Sequence, residues 1–353
     1  MRKLEIEEYP EAGRAPGCDH PKDTYDLIGH ADSEALFLKA KASGRLHHAW
    51  LITGAPGVGK ATLAYRIIRY MLGGTPLLPG SLDIPQADPV AQQLASLGHG
   101  NFMLLRRPYD FKRKKLRSEI PVDNVRALGA FFQGTAAVDE TWRVCLIDSA
   151  DELNKNSENA VLKLLEEPPA KTMIILLSSA PGRLLPTIRS RCIHLPLREV
   201  PEAEILPWLK ARVEVSEDIL QAAVKLSRGG PGKAIALAQN SNDVLRPLSQ
   251  YLKSLDQSQA KVDHLIANNL AAQNASVSRA LFWEALQDIL RAQSAFSLTG
   301  EWSGAFKPLP VAKSASIWAQ LWDKVNEMQR VEAAINMDKK TVMLETLANI
   351  RAA

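Results

Sequence analysis

The sequence predicts an α/β fold, a phosphate-binding loop set on a mostly parallel sheet, followed by helical domains. Three observations lead there. A glycine-rich turn, GAPGVGKAT at 54–62, lies between a short apolar run and a stretch of helical apolar spacing. Up to about residue 198, apolar runs such as WLIT, RVCLID and MIILLS alternate with helical patterns, as strands and crossover helices do in a parallel sheet. From residue 199 on, the patterned segments step by three and four residues, the spacing of helices.

The turn is the most informative element. HHAWLIT (47–53) reads as a buried strand and ATLAYRIIRYML (61–72) as a helix, the strand–turn–helix context that a phosphate-binding loop needs. Its pattern is G-x-x-x-x-G-K-[S/T], in which glycines let backbone N–H groups face phosphate oxygens, the lysine reaches the β and γ phosphates, and the hydroxyl holds Mg²⁺. Gly54, Gly57, Gly59 and Lys60 fit, but Ala61 stands where the hydroxyl belongs. Thr62 follows one residue later, about 100° around the helix, and does not aim at the same point.

The second half of such a site begins at WRVCLIDSADELNKNSENAVLKLLEEPP (142–169). Asp148 ends the strand, the position from which an aspartate holds the magnesium ion. A water-orienting glutamate is expected next, and Ser149 is there instead. Asp151, two positions beyond, is read as a surface or helix-capping residue rather than a substitute base.

Composition narrows the class. The length of 353 residues allows two or three domains, and a net charge of +4 is mild. Cys18, Cys145 and Cys192 are odd in number and far apart, which argues against a disulfide framework and against a zinc ribbon; Cys145, inside VCLI, reads as core. The opening MRKLEIEEYPEAG has no apolar signal region and no run approaches membrane-spanning length, so a cytoplasmic protein is expected.

Residues 74–98, rich in Pro, Gly and Leu, read as an insertion or loose connection. In FMLLRRPYDFKRKKLRSEIPVDNV (102–125), Arg106, Arg107, Lys112, Arg113, Lys114, Lys115 and Arg117 face few acids. That cluster is either a solvated loop or a basic edge for nucleic-acid phosphates. EAEILPWLKARV, SEDILQAAVKLSR and AIALAQ, broken by GGPGK, form a small helical domain over 199–243. From 244 to 353 the pattern is all helix, and Trp318, Leu321, Trp322 and Val325 make an apolar stripe, either domain core or contact surface.

Three segments resemble one family. GRLHHAWLITGAPGVGKATLA, NSENAVLKLLEEPPAKTMIILLSSAPGRLLPTIRSRC (156–192) and LSRGGPGKAIALAQ (226–239) are similar to the bacterial clamp-loader subunits of the AAA+ class. The resemblance is clear over about 25–240 and weaker in the tail, at INMDKKTVMLETL. It implies a P-loop AAA+ domain over 1–198, a helical lid over 199–243, and a C-terminal helical collar that oligomerises. Ser190, Arg191 and Cys192 match the family's Ser-Arg-Cys motif, whose arginine reaches the ATP site of the neighbouring subunit; outside that motif, such an arginine would read as a surface ion pair. Ser178 matches the polar residue that senses the γ-phosphate. Gly232 stands where ATP-binding relatives place a lid arginine, and Lys233 beside it is expected to face elsewhere. Relatives also carry four zinc-binding cysteines after the loop helix; none lies between Ala61 and Cys145 here, so no zinc is expected.

The resemblance therefore implies a structural subunit of the DNA polymerase III clamp loader in DNA replication. It would sit in a hetero-pentamer with gamma/tau-type and delta-type subunits, serving the sliding clamp and primer-template DNA. No ATP hydrolysis of its own and no required cofactor are expected, although the assembly belongs to a DNA polymerase holoenzyme. The alternatives are an active gamma/tau-type ATPase and, less in keeping with the motifs, a P-loop phosphotransferase.

Overall fold

The computed structural model of the protein describes residues 11–14, 18–113, 115–134, 142–255, 260–272, 274–309, 314–335 and 337–352. The opening residues 1–10, Lys114 of the basic run and Asn336 of the tail motif lie outside the described residues. The chain divides into two compact units, one running to Val200 and the other from Pro201 onward, to which Cys18 also belongs.

In the first unit the elements are α1 (Ala31–Ala42), β1 (Ala49–Thr53), α2 (Lys60–Met71), α3 (Pro89–Ala95), β2 (Phe102–Leu105), β3 (Tyr109–Asp110), β4 (Lys115–Leu116), α4 (Val122–Gln133), β5 (Arg143–Ile147), α5 (Lys155–Glu166), β6 (Thr172–Ser178), α6 (Pro186–Ser190) and β7 (Ile193–Pro196). Among the described residues, five strands form one parallel sheet in the order β2-β5-β6-β1-β7. After β1 the chain crosses to the β2 edge, returns through β5 and β6, then passes β1 to add β7. The order therefore reverses at β1, and the carboxyl ends of β1 and β6 flank the crevice where open α/β sheets bind ligands.

Side-chain alternation along each strand makes two apolar layers. Trp50, Ile52, Val144, Leu146, Met173, Ile175 and Leu177 pack with Phe37 of α1 and with Leu63, Ala64 and Ile67 of α2. Ala49, Leu51, Cys145, Ile147, Ile174 and Leu176 pack with Val125 and Leu128 of α4 and Val161 and Leu165 of α5. Each fully buried aliphatic side chain contributes about 1.5–3 kcal/mol, so the sheet is fixed from both sides. Cys145 is core, as its sequence context predicts, and burial pushes its thiol pKa upward.

Residues 74–98 correct the reading of a loose connection. Leu82, Ile84, Ala91 and Leu94 are buried. Asp88 caps α3 by accepting from Val90 N at 2.8 Å, and its other oxygen accepts from Thr75 N at 3.0 Å. Buried Arg66 of α2 donates to Asp83 at 2.5 Å and pairs with Glu34 of α1. Proline and glycine set turns here, but internal aliphatics and a buried guanidinium hold the segment down.

The second unit is helical: α7 (Glu202–Lys210), α8 (Glu217–Ser227), α9 (Pro231–Gln239), α10 (Leu245–Lys253), α11 (Ala260–Ala271), α12 (Ser276–Thr299), α13 (Ala315–Ile335) and α14 (Lys339–Ala352). Gln287 and Gln329 hydrogen-bond at 2.7 Å and Arg279 pairs with Glu332 at 3.1 Å, joining α12 to α13. Arg351 of α14 binds Asp263 of α11 through two nitrogens, at 2.7 and 3.1 Å. The Trp318 stripe divides: Trp318 is 1% exposed and Val325 2%, whereas Trp322 is 37% exposed. Trp318→Ala is expected to cost about 3–5 kcal/mol of stability and Trp322→Ala about 1 kcal/mol or less, measured by denaturant unfolding of each variant. Equal costs would contradict this division of the stripe.

Candidate functional site

The loop between β1 and α2 closes on itself. Gly54 has φ +153°, and a Cβ there would meet the Leu197 carbonyl oxygen at 2.8 Å, so only glycine lets the backbone leave β1 beside the chain following β7. Gly57 (φ +76°) and Gly59 (φ +110°) complete the curl, and buried His30 holds Val58 O at 2.8 Å through Nε2. The Lys60 ammonium donates to Gly54 O at 2.8 Å, Ala55 O at 2.9 Å and Ser179 Oγ at 2.9 Å, three acceptors for three protons. Burial lowers its pKa to about 8, opposed by Asp151 and Asp148. Ala61 and Thr62 are half-buried on the first turn of α2.

Asp151 is neither a free surface residue nor a helix cap, which corrects its sequence reading. Its carboxylate accepts from Ser178 Oγ at 2.5 Å, Ser179 N at 2.7 Å and Ala180 N at 3.2 Å. It thereby fastens the carboxyl end of β6 to the turn after β5. The buried Ser178 hydroxyl, the expected γ-phosphate sensor, donates to Asp151, and Ser179 meets Lys60 instead. Ser179 was not singled out in the sequence; the only hint was its position one residue past a strand end.

Asp148 follows β5 and is 9% exposed. Its carboxyl is pushed up by burial, against Arg106, Lys60 and Arg107, which pull it down. The stretch 11–14 lies against it: a Cβ on Gly13 (φ +85°) would stand 1.9 Å from Asp148 Oδ2, so the glycine permits a close backbone approach. Arg106 secures that stretch, donating to Ala12 O at 2.9 Å and Glu11 Oε1 at 2.7 Å. Arg106 thus leaves the basic cluster in which the sequence placed it and serves as an internal brace. Ser149 takes a left-handed conformation (φ +69°) and hydrogen-bonds Glu152. With Ala61 lacking oxygen and Asp148 closed over by Gly13, these residues do not form a fitting set of magnesium ligands.

Arg191 lies on the chain just past α6, half-exposed. Its guanidinium pairs with Glu166 at 2.9 Å and donates to Thr187 O at 3.1 Å. Ser190 Oγ also donates to Thr187 O at 3.1 Å, while Cys192 is buried, its thiol pushed up to about 12 by burial. The two flanking residues therefore fix the turn, and Arg191 alone of the three presents charge at the surface. In the second unit, Gly232 O accepts from Cys18 Sγ at 3.1 Å. Lys233 pairs with Glu284 at 3.0 Å and lies 3.6 Å from Asp288 of α12. Arg228 also pairs with Asp288.

The buried ammonium yields a pH prediction. A folded-state pKa near 8 lies below the usual lysine value, so between about pH 8 and 10.5 the unfolded chain binds more protons. This group's contribution therefore raises stability with pH across that window and is constant below it. In an NMR titration of the lysine side chains, Lys60 is expected to titrate near pH 8, and lower still in Asp151→Asn; a midpoint above about 10 would contradict the geometry.

A family model for "DNA polymerase III, delta subunit" matches residues 29–201. The DNA polymerase III subunit delta' of Escherichia coli (strain K12) is 36% identical over 217 residues, covering 60% of this chain and 60% of that protein. The subunit delta' of Pseudomonas aeruginosa is 33% identical over 199 residues, covering 56% and 58%. The subunit tau/gamma of Haemophilus influenzae is 28% identical over 255 residues, covering 71% of this chain and 33% of that one. The chain therefore spans about three-fifths of the length of these delta' subunits, and the family model covers the stretch that carries the loop, the Asp148 turn and the Ser-Arg-Cys motif. On this parallel sheet, the stretch 29–201 is thus similar to DNA polymerase III delta-type subunits, and the chain resembles the delta' subunits of two bacteria over about three-fifths of their length.

Proposed function

We propose that this chain is a stator: a clamp-loader subunit that does not hydrolyse ATP and lends Arg191 to the ATP site of a neighbouring motor subunit. The observation that carries the reading is the site's own chemistry. The position for the metal hydroxyl is Ala61, that for the water-orienting carboxylate is Ser149, and that for the lid arginine is Gly232. Lys60 is at the same time spent on Gly54 O, Ala55 O and Ser179 Oγ. An active gamma/tau-type ATPase would need those three groups, so it is the weaker reading. ATP and zinc are not required cofactors in this account.

Arg191 has what a finger needs. A guanidinium keeps its charge at any working pH and spreads it over a fork that matches phosphoryl oxygens. Glu166 and Thr187 O hold that fork at the surface, where a partner's phosphate can displace an exposed ion pair of small worth. The partners are gamma/tau-type and delta-type subunits in a hetero-pentamer, gathered through the C-terminal helices. The complex places the sliding clamp on primed DNA.

An arginine finger is worth about 10³–10⁵ in the turnover of the site it serves. In a reconstituted loader, Arg191→Ala is expected to remove the whole share of DNA-stimulated ATPase carried by the facing site, and Arg191→Lys, which lacks the fork, to restore little of it. Full stimulation with Arg191→Ala would overturn the assignment.

A further inference from the structure

The basic cluster that the loop and the arginine leave unexplained is a built projection. β3 and β4 pair antiparallel, Tyr109 opposite Leu116 and Asp110 opposite Lys115. The hairpin's root is fixed: Arg117 N donates to Pro108 O at 3.0 Å, Arg107 pairs with Glu152 at 2.7 Å, and Ile120 N donates to Glu152 O at 2.9 Å. Its carboxylate is turned inward. Asp110 Oδ1 accepts from Lys112 N at 3.0 Å and Arg113 N at 3.1 Å, bracing the turn. Outward remain the exposed Lys112, Arg113 and Lys115, and Arg117 is exposed beside them with its Nε 3.9 Å from Asp110 Oδ2.

Among these cations stands an aromatic ring. Phe111 is 68% exposed at the tip, edge-on to Tyr109 with centroids 5.2 Å apart. Tyr109 and Leu116 share one face, because the register sets them opposite each other, and Phe111 of the turn meets that face through its edge contact with Tyr109. Cations beside an exposed ring suit a strand that offers phosphates and unstacked bases together. A duplex would engage the charges but leave the ring without a base to stack on, and an acidic polypeptide offers no π face.

We propose that the β3–β4 hairpin is a contact for single-stranded nucleic acid, with Phe111 stacking on a base and Lys112, Arg113, Lys115 and Arg117 tracking the phosphates. It does not rest on the stator reading, since the hairpin acts on the chain's own surface. Binding is measured on the full chain alone, which separates failure here from failure of the Arg191 role.

The probe is a fluorescent oligothymidylate of about 20 nucleotides, read by anisotropy over a range of salt, beside a duplex of equal length. Four phosphate contacts on a single strand give a log–log salt slope of about −3. Phe111→Ala is expected to weaken the single strand by about 5- to 150-fold with that slope kept, and Phe111→Trp to keep affinity with quenched indole emission. The combined Lys112→Gln, Arg113→Gln and Lys115→Gln variant is expected to reduce the slope by about 2. All of these side chains are exposed, and equal unfolding midpoints check that the variants fold. No single-strand binding at low salt, full affinity in Phe111→Ala, an unchanged slope in the triple variant, or displacement by polyglutamate that ignores Phe111 would each overturn the proposal.

Discussion

The carboxylate of Asp151 ties the carboxyl ends of the sheet together. It takes the Ser178 hydroxyl and the Ser179 and Ala180 amides, and so sets where β6 ends relative to the turn after β5. Ser179, placed by that clamp, supplies one of the acceptors of Lys60. The lysine in turn draws in Gly54 O and Ala55 O and closes the loop on its own backbone. A residue in hydrogen-bonding contact with a strand end thus organises the glycine-rich loop around protein oxygens.

The opposite side of the same crevice is closed by charge. Asp148 would be costly to bury ionised, and burial indeed raises its pKa while Arg106, Lys60 and Arg107 oppose the rise. Arg106 also pins the stretch 11–14, whose Gly13 lies on the Asp148 carboxylate. Metal binding at Asp148 would have to displace that backbone without a hydroxyl at Ala61 to share the ion. The lost side chains and the closed geometry point the same way.

Much of this was legible in the sequence because it is local. The three central strands announced themselves as apolar runs, and the glycine spacing of 54–60 gave a turn whose positive φ values the structure has. The Ser-Arg-Cys motif was likewise read from adjacent residues. What stayed hidden depends on contacts between distant segments. Asp151 looked like a surface residue because Ser178 is 27 positions away, and Arg106 looked like one more cation because Glu11 and Ala12 are remote in sequence. Proline and glycine at 74–98 disguised a segment fixed by Leu82, Ile84 and Arg66. Periodicity grouped Trp322 with Trp318, although only tertiary packing decides which of two neighbouring faces is covered.

The central claim is that this chain does not turn over ATP, and the most direct test is steady-state phosphate release by the isolated full chain with Mg²⁺ and ATP. The account predicts release at the level of a protein-free control, unchanged by Lys60→Ala. Turnover above that control, abolished by Lys60→Ala, would mean that the loop works as an ATPase and would contradict it.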